Sequence, residues 1–267
     1  MKTANITPTR KAWWTRIASL LAFVALLSPA FAQTTLIGPF NGGDFDLGPS
    51  MAANNWSTFN AVNNQWIVGT QPTIAYPLTV PPFLNNCAWA NNDGVVTNYT
   101  YDLAASSSAF IYRDVTVPAG ESIISMSFNW HGGGEAGYDM VQVFYGPTSL
   151  TPVDNGYGVN GNNTVPTGIT GATYVANTVG GSVPGTVSTL NATFPAALAG
   201  TTFRVFLSWK TDFCCGTAVP HAIDNVLMTS ALPSAFTAAI PAAHLQGGDP
   251  KSLGKYQECS VWTFSQY

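Results

Sequence analysis

The chain has 267 residues, of which 8% are charged and 46% hydrophobic, with 9 basic residues against 13 acidic ones. Four of the basic residues and none of the acidic ones lie in residues 1–32, which leaves 5 basic against 13 acidic side chains and a net charge of −8 for the remainder. Without clustered Lys and Arg to displace the counterions of a phosphate backbone, nucleic acid is excluded as a partner.

In residues 1–32, Lys2, Arg10, Lys11 and Arg16 accompany an apolar run at 17–27, then Pro29 and the small-residue pattern Ala30-Phe31-Ala32. This is the pattern of a secretory signal peptide cleaved after Ala32, so the mature protein is expected outside the cell or at its surface. The run is too short for a membrane helix, which needs about 20 apolar residues, and no later stretch supplies them. No cysteine follows the expected cleavage site to carry a lipid. The mature length suits one large all-β domain or two small ones, and the sequence does not specify an oligomeric state.

Residues 36–48 read as a short strand, Leu36-Ile37, followed by Gly42-Gly43 and the turn Asp44-Phe45-Asp46-Leu47-Gly48. Trp56, Phe59 and Gln65-Trp66-Ile67-Val68 form a second strand region broken by Asn-rich turns. Residues 76–83 are Pro-rich and read as a loop. Cys87-Ala88-Trp89-Ala90 precedes Asn91-Asn92-Asp93-Gly94, where Asp-Gly marks a tight turn. Residues 109–117 alternate Ile111, Arg113, Val115 and Val117 with Phe110, Tyr112, Asp114 and Thr116, a strand expected to be covered on both faces.

Residues 123–145 organise the rest. Ile124, Met126, Phe128 and Trp130 alternate with Ser125, Ser127 and Asn129, the period-2 pattern of a half-buried strand. Gly132-Gly133-Gly134 interrupts it, and Val141, Val143 and Tyr145 resume the alternation. Residues 146–189, rich in Gly, Asn, Thr and Pro, read as long loops with one or two short strands. In residues 202–210, Phe203, Val205, Leu207 and Trp209 take one side, with Arg204, Ser208 and Lys210 largely on the other. Residues 222–228 supply a final strand. No segment has helical periodicity, so the class is all-β, a two-sheet antiparallel sandwich over 33–230. Residues 231–267, punctuated by Pro233, Pro241, Gly247-Gly248 and Pro250, read as a tail or a truncated linker to a second domain.

Cys87, Cys214, Cys215 and Cys259 are even in number in an oxidising compartment, so disulfides are an open reading. Bonding between the adjacent Cys214 and Cys215 is not expected, because the vicinal ring is strained. Either Cys87 bridges one of them or the set is unpaired. Zinc is disfavoured by the lack of C-x-x-C spacing.

Taken in order, several motifs resemble the secreted jelly-roll modules of the MAM and cleaved-adhesin type found in Bacteroidota surface and secreted proteins. They are Asp44-Phe45-Asp46-x-Gly48 with Trp56 beyond it, Trp66-Ile67-Val68-Gly69, Phe110-Ile111-Tyr112-Arg113-Asp114-Val115, Ser127-Phe128-Asn129-Trp130, the Gly-rich turn with Tyr138-Asp139, and Ala222-Ile223-Asp224-Asn225-Val226. The resemblance covers most of residues 36–229. It implies a jelly roll used for adhesion or for binding carbohydrate or an extracellular protein, with no catalytic residues. The paired MAM cysteines have no counterpart here. Nor is the module followed by the fibronectin-like or sorting domains that usually accompany it.

Asp44, Asp46 and Asp224 are the best chemical constellation. The first and last strands of a jelly roll run close together, so these carboxylates are placed to converge on a hard cation. The resemblance implies that this cation is a structural calcium. The plain alternative is that each side chain caps turn amides. Trp89, Tyr99, Tyr101, Tyr157 and Tyr174 fall in loop-like segments and are the candidates for a sugar-stacking platform, against the plain reading that they cover core edges.

A secreted carbohydrate-active hydrolase is the competing function, since jelly rolls also carry enzymes, and a purely structural spacer is a third. A glycosidase needs two carboxylates across a cleft, and Glu121, Glu135 and Glu258 carry no recognisable paired motif. His131 beside the glycine turn reads as structural. There is no G-x-S-x-G elbow, and the glycine run has no following Lys-Ser or Lys-Thr to make it a phosphate loop.

Overall fold

The computed structural model describes residues 33–61, 63–72, 83–154, 169–179 and 187–233. The expected signal peptide, residues 76–82 of the Pro-rich loop, Tyr157, Cys259 and almost all of the segment 231–267 lie outside these residues.

Period-2 patterning becomes strand wherever it was strong. The chain runs β1 Thr34–Ile37, β2 Ser57–Phe59, β3 Gln65–Thr70, β4 Asn86–Asn91, β5 Ser107–Thr116, β6 Ile123–His131, β7 Met140–Gly146, β8 Thr173–Asn177, β9 Ser188–Phe194, β10 Thr202–Thr211 and β11 Ala222–Ala231. Three single 3-10 turns are the only helical elements among the described residues. In β6, Ile124, Met126, Phe128 and Trp130 are buried while Ile123 is exposed and Ser125, Ser127 and Asn129 are half-buried. The strand therefore presents one apolar face to a core and one polar face outward.

Two antiparallel sheets result, in the orders β3-β4-β11-β6-β9 and β2-β5-β10-β7-β8, with β1 added beside β11. This is the expected two-sheet jelly-roll sandwich. Strand β11 is the hinge of the first sheet. One of its edges runs along β6, and the other pairs with β4 at Ala222 and Ile223 and with β1 from Met228 to Ser230. Against β6 the register passes from Asp224↔Asn129 to Leu227↔Ser127, so β11 carries one extra residue, a bulge, where its partner changes. Asn225 in the bulge has φ 55°, a left-handed conformation that Asn tolerates better than most residues.

The core lies between the sheets. Phe128 and Trp130 from one sheet meet Val205, Leu207 and Trp209 from the other, as their alternation requires. Trp66 ties the layers by donating its indole N–H to the Ala109 carbonyl at 3.0 Å. His221 is wedged between Trp130 and Trp209, with ring centroids 4.6 and 5.4 Å away. It is fixed by the Thr178 hydroxyl at 2.8 Å and the Gly133 carbonyl at 2.9 Å.

Ser208 and Lys210 lie on the face of β10 opposite Val205, Leu207 and Trp209, and each is only 1% exposed. Strand β10 sits at the centre of its sheet, and its outer face is roofed. Phe110, Phe144 and Phe206 pack there with Ile169, Leu150 and Ala172 from the β7–β8 connection. Burial lowers the Lys210 ammonium to about 8, against an opposing pull from Asp139 and Asp212.

Trp209 is fully buried, and its indole N–H has no hydrogen-bond partner. Its contribution is therefore packing alone. Trp209→Ala is expected to cost about 3–5 kcal/mol, while Trp209→Phe loses no hydrogen bond and costs clearly less. Urea unfolding followed by fluorescence, with unchanged slope, measures both.

Candidate functional site

The loop between β1 and β2 is seated in the gap that the β11 bulge leaves between β1 and β4. Val226 N–H donates to the Gly43 carbonyl at 2.7 Å, and Trp56 donates its indole N–H to the Gly42 carbonyl at 3.0 Å. A Cβ on Gly43 would lie 2.1 Å from the Val226 carbonyl oxygen, so only glycine allows this approach. Phe45 is fully buried and stacks on Trp56 at 6.2 Å. Anchoring this ring inside leaves its neighbours Asp44 half-buried and Asp46 exposed.

Asp44, Asp46 and Asp224 thus come into one electrostatic neighbourhood. Asp224 is 7% exposed, and its carboxyl is pushed up to about 7, first by burial and further by the charges of Asp46 and Asp44, while its bond from Asn225 opposes the shift. The buried Cys87 thiol is pushed up by burial and then by Asp224 and Asp46. No Lys or Arg pairs with any of the three carboxylates among the described residues; Arg204 pairs instead with Asp114.

Both sequence-based readings of the trio have physical content here. Asp44 accepts from the Asp46 amide at 3.3 Å, Asp46 from the Asn86 amide and the Asn85 side chain at 3.1 Å each, and Asp224 from the Asn225 amide at 2.6 Å and its side chain at 3.0 Å. Those are capping bonds. Yet they leave buried Asp224 without a positive partner, which is the condition that favours a cation. The three sets of carboxylate oxygens do not all lie within 4.8 Å of one another, so a shared ion would have to draw them inward.

The aromatic candidates are corrected by their burial. Trp89 lies in β4, is fully enclosed, and donates to the Asn98 carbonyl at 2.9 Å. Tyr99 packs edge-on against it at 5.8 Å and donates to the Pro220 carbonyl at 3.0 Å. Tyr101 is buried against Trp209 and donates to Asp139. Tyr174, in β8, is half-buried against Phe144 and donates to Asn177. Trp89, Tyr99 and Tyr101 therefore offer no free face for stacking on a sugar, while Tyr174 stays partly exposed. What hid Trp89 in the sequence is that β4 is covered on both faces, so it lacks the alternation that marks a half-buried strand.

A different feature faces solvent. Two adjoining concavities, of about 320 and 530 Å³, run along β3 and the neighbouring loops and share Pro49, Val68 and Val96. Trp66 and Asn60 contribute to the first, Gln71 and Asn86 to the second. No charged side chain lines either one. Asn86 also donates its amide to Asp46, so the groove and the aspartate trio share a wall. Nothing in the sequence announced this groove, because its wall combines residues from 49–52, 58–60, 66–72, 86 and 94–97 through the fold alone.

Glu135 stands at another end of the sandwich, in the β6–β7 loop with Asp139 and, from the β10–β11 loop, Asp212. Asp139 is fully buried and accepts from the Tyr101 hydroxyl, the Glu135 amide at 2.8 Å and the Asp212 amide at 3.3 Å. It braces both loops and is not available to act as one of a catalytic pair. Burial, then Asp212 and Asp139, push the Glu135 carboxyl up. The same loop corrects the cysteine reading. Cys214 and Cys215 are bonded to each other with Cα atoms 3.7 Å apart, and Cys87 is a free buried thiol. Left-handed backbone at Cys215 (φ 70°) and Gly216 (φ 75°) supplies the tight turn that brings the two side chains together.

No protein-family model matches the chain, and no curated protein matches it by sequence. Among solved structures it is similar to the K1 cleaved-adhesin domain of Lys-gingipain from Porphyromonas gingivalis W83, at 15% identity over 76% of this chain and 99% of that one, with a TM-score of 0.38. It is also similar to the CBM22-1 xylan-binding domain of Xyn10C from Paenibacillus barcinonensis, at 11% identity over 77% and 99%, TM-score 0.42. TmCBM61, solved with β-1,4-galactotriose, matches at 9% identity over 72% and 97%, TM-score 0.40. Likenesses this distant transfer no ligand and no residue role to this chain. No helix among the described residues is long and apolar enough to cross a membrane.

Among the buried titrating groups, His131, His221 and Asp224 act in opposite directions on stability as pH falls. His131 and His221 are each lowered to about 4 by burial. Between there and their ordinary value the unfolded chain binds the extra protons, so stability present above pH 6.5 is lost as pH falls towards 4, by about 3 kcal/mol for each. Asp224 runs the other way: its raised value makes the ionised form a cost above pH 7, of about 4 kcal/mol, that is relieved on acidification. In chelator, Asp224→Asn is therefore expected to raise the melting temperature at pH 8 and to steepen the loss below pH 6.5. Melting curves of the two proteins across pH 4–8 check both signs.

Proposed function

We propose that this chain is an exported, non-catalytic binding module whose groove along β3 holds a neutral, hydroxyl-rich ligand, an extracellular glycan. The observation that carries the reading is the lining of the groove. Its polar positions are amides and hydroxyls, Asn60, Thr70, Gln71 and Asn86 among them, with apolar Pro49, Val68 and Val96 between. That is the mixture that pairs sugar hydroxyls while packing against the C–H faces of the ring. A protein partner is less well served, since tight protein interfaces centre on exposed Trp, Tyr or Arg anchors, and the one aromatic in the groove wall, Trp66, is buried. For a hydrolase, two carboxylates would have to face each other about 5 to 9 Å apart in a cleft, and this groove is lined by none.

The same reading assigns Asp44, Asp46 and Asp224 to a structural calcium. Its support is the uncompensated buried charge of Asp224 beside two further carboxylates. A hard cation is held by oxygen ligands of this kind. Because Asp46 holds Asn85 and Asn86, an ion there would stiffen one wall of the groove.

Screening on a glycan array followed by calorimetry tests the ligand. Binding to neutral oligosaccharides is expected, little changed by salt, weakened about tenfold by Asn86→Ala, equivalent to about 1.4 kcal/mol, and blocked by Val96→Trp. Binding that ignores both substitutions would move the site elsewhere. Turnover of a bound glycan that disappears in Glu135→Gln would restore the hydrolase. For the cation, added calcium is expected to raise the melting temperature by mass action. Equal melting with calcium and with chelator, unchanged by Asp224→Ala, would leave the trio as turn caps.

A further inference from the structure

We propose that Glu135, Cys214 and Cys215 form a redox-gated site for a thiophilic divalent cation of the zinc class, closed by the disulfide and opened by its reduction. A carboxylate oxygen of Glu135 and the two sulfurs all lie within 4.8 Å of one another. A tetrahedral zinc with bonds of about 2.0–2.3 Å needs ligand atoms roughly 3.5 Å apart, so a small inward movement of Glu135 and separation of the two sulfurs meets it.

The site is built by the interlock of two loops. Gly216 lies so close to the β6–β7 loop that a Cβ there would be 2.7 Å from the Glu135 amide nitrogen. The Thr217 hydroxyl accepts from the Gly134 amide at 3.1 Å. Asp139 holds the Glu135 amide, and Asp212 accepts from the Cys214 amide at 3.0 Å. The backbones of Glu135 and Cys214 are thus fixed before any ion arrives, which is the support that a metal's ligands require.

The Glu135 side chain is half-buried, and its Oε2 atom is enclosed without a hydrogen bond among the described residues. That oxygen is free to ligate a metal. Around it Asp139 and Asp212 add negative charge, opposed by Lys210. Cys215 is exposed, which leaves a fourth corner for water.

Oxidised, the sulfurs are bonded to each other and neither is a thiolate. A dithiol reductant supplies two electrons and two protons, breaks the Cys214–Cys215 bond to give two thiols, and leaves as its own disulfide. The cation then displaces the two thiol protons to solvent. Cys87 does not compete, since its thiol is buried and pushed up.

The test uses the full chain carrying Cys259→Ser, in saturating calcium so that the aspartate trio takes up no added ion. Cobalt and zinc are titrated before and after treatment with dithiol and its removal under anaerobic conditions. Reduction is expected to create one equivalent of binding, with a sulfur-to-cobalt charge-transfer band that zinc abolishes. The band should vanish in Cys214→Ser/Cys215→Ser and persist with about tenfold weaker affinity in Glu135→Gln, each variant melting as a folded protein. Glu135→Gln leaves both cysteines and the disulfide in place, so it reads the site even where the double variant fails to fold. No gain on reduction, an equal gain in the double serine variant, or unchanged affinity in Glu135→Gln would each overturn the proposal.

Discussion

The hydrogen bond from Val226 to Gly43 is the contact on which the first sheet and its chemistry depend. A strand with one partner along each edge has no room for a loop, and β11 makes room by carrying an extra residue where its edge passes from β4 to β1. The β1–β2 loop enters that break and satisfies the freed amide with a carbonyl. From this follow the burial of Phe45 and Trp56, the presentation of Asp44 and Asp46, and the enclosure of Asp224 beside them.

Two buried carboxylates show how differently one chain can treat the same group. Burial raises both. Around Asp139, bonds from Tyr101, Glu135, Thr211 and Asp212 oppose that rise. Asp224 has only Asn225 to favour its charge and two aspartates to oppose it. The first arrangement is braced by several donors, whereas in the second the ionised form is disfavoured.

Much of this was readable from residues alone, and the limit is physical. In β6 and β10 one face is apolar at every second position, and the resulting inward set, Phe128, Trp130, Val205, Leu207 and Trp209, is the core. Alternation reports a strand that has one wet face. It is silent where both faces are covered, which is why β4 with Trp89 passed for a loop. That Asp44 and Asp46 lie near enough to Asp224 to oppose its charge was legible from topology, though their carboxylate oxygens do not all come within 4.8 Å of one another. The groove was not, since its walls come from five separate stretches. The bond between adjacent cysteines depends on a left-handed residue at Cys215, which no spacing rule encodes.

The split edge of β11 also governs how the chain can reach its folded state. Strand β1 pairs Thr34 with Ser230, so the last edge of the first sheet joins opposite ends of the domain. Local contacts are few, because β5, β7 and β10 also meet across long stretches of chain. Such high contact order places folding among the slow, millisecond-to-second cases, since loop-closure entropy is paid before the pairing rewards it. Until β1 arrives, Met228 to Ser230 present an unpaired edge next to a half-formed core. The interval before β1 docks is therefore the stage at which one copy is most open to pairing with the open strand of another.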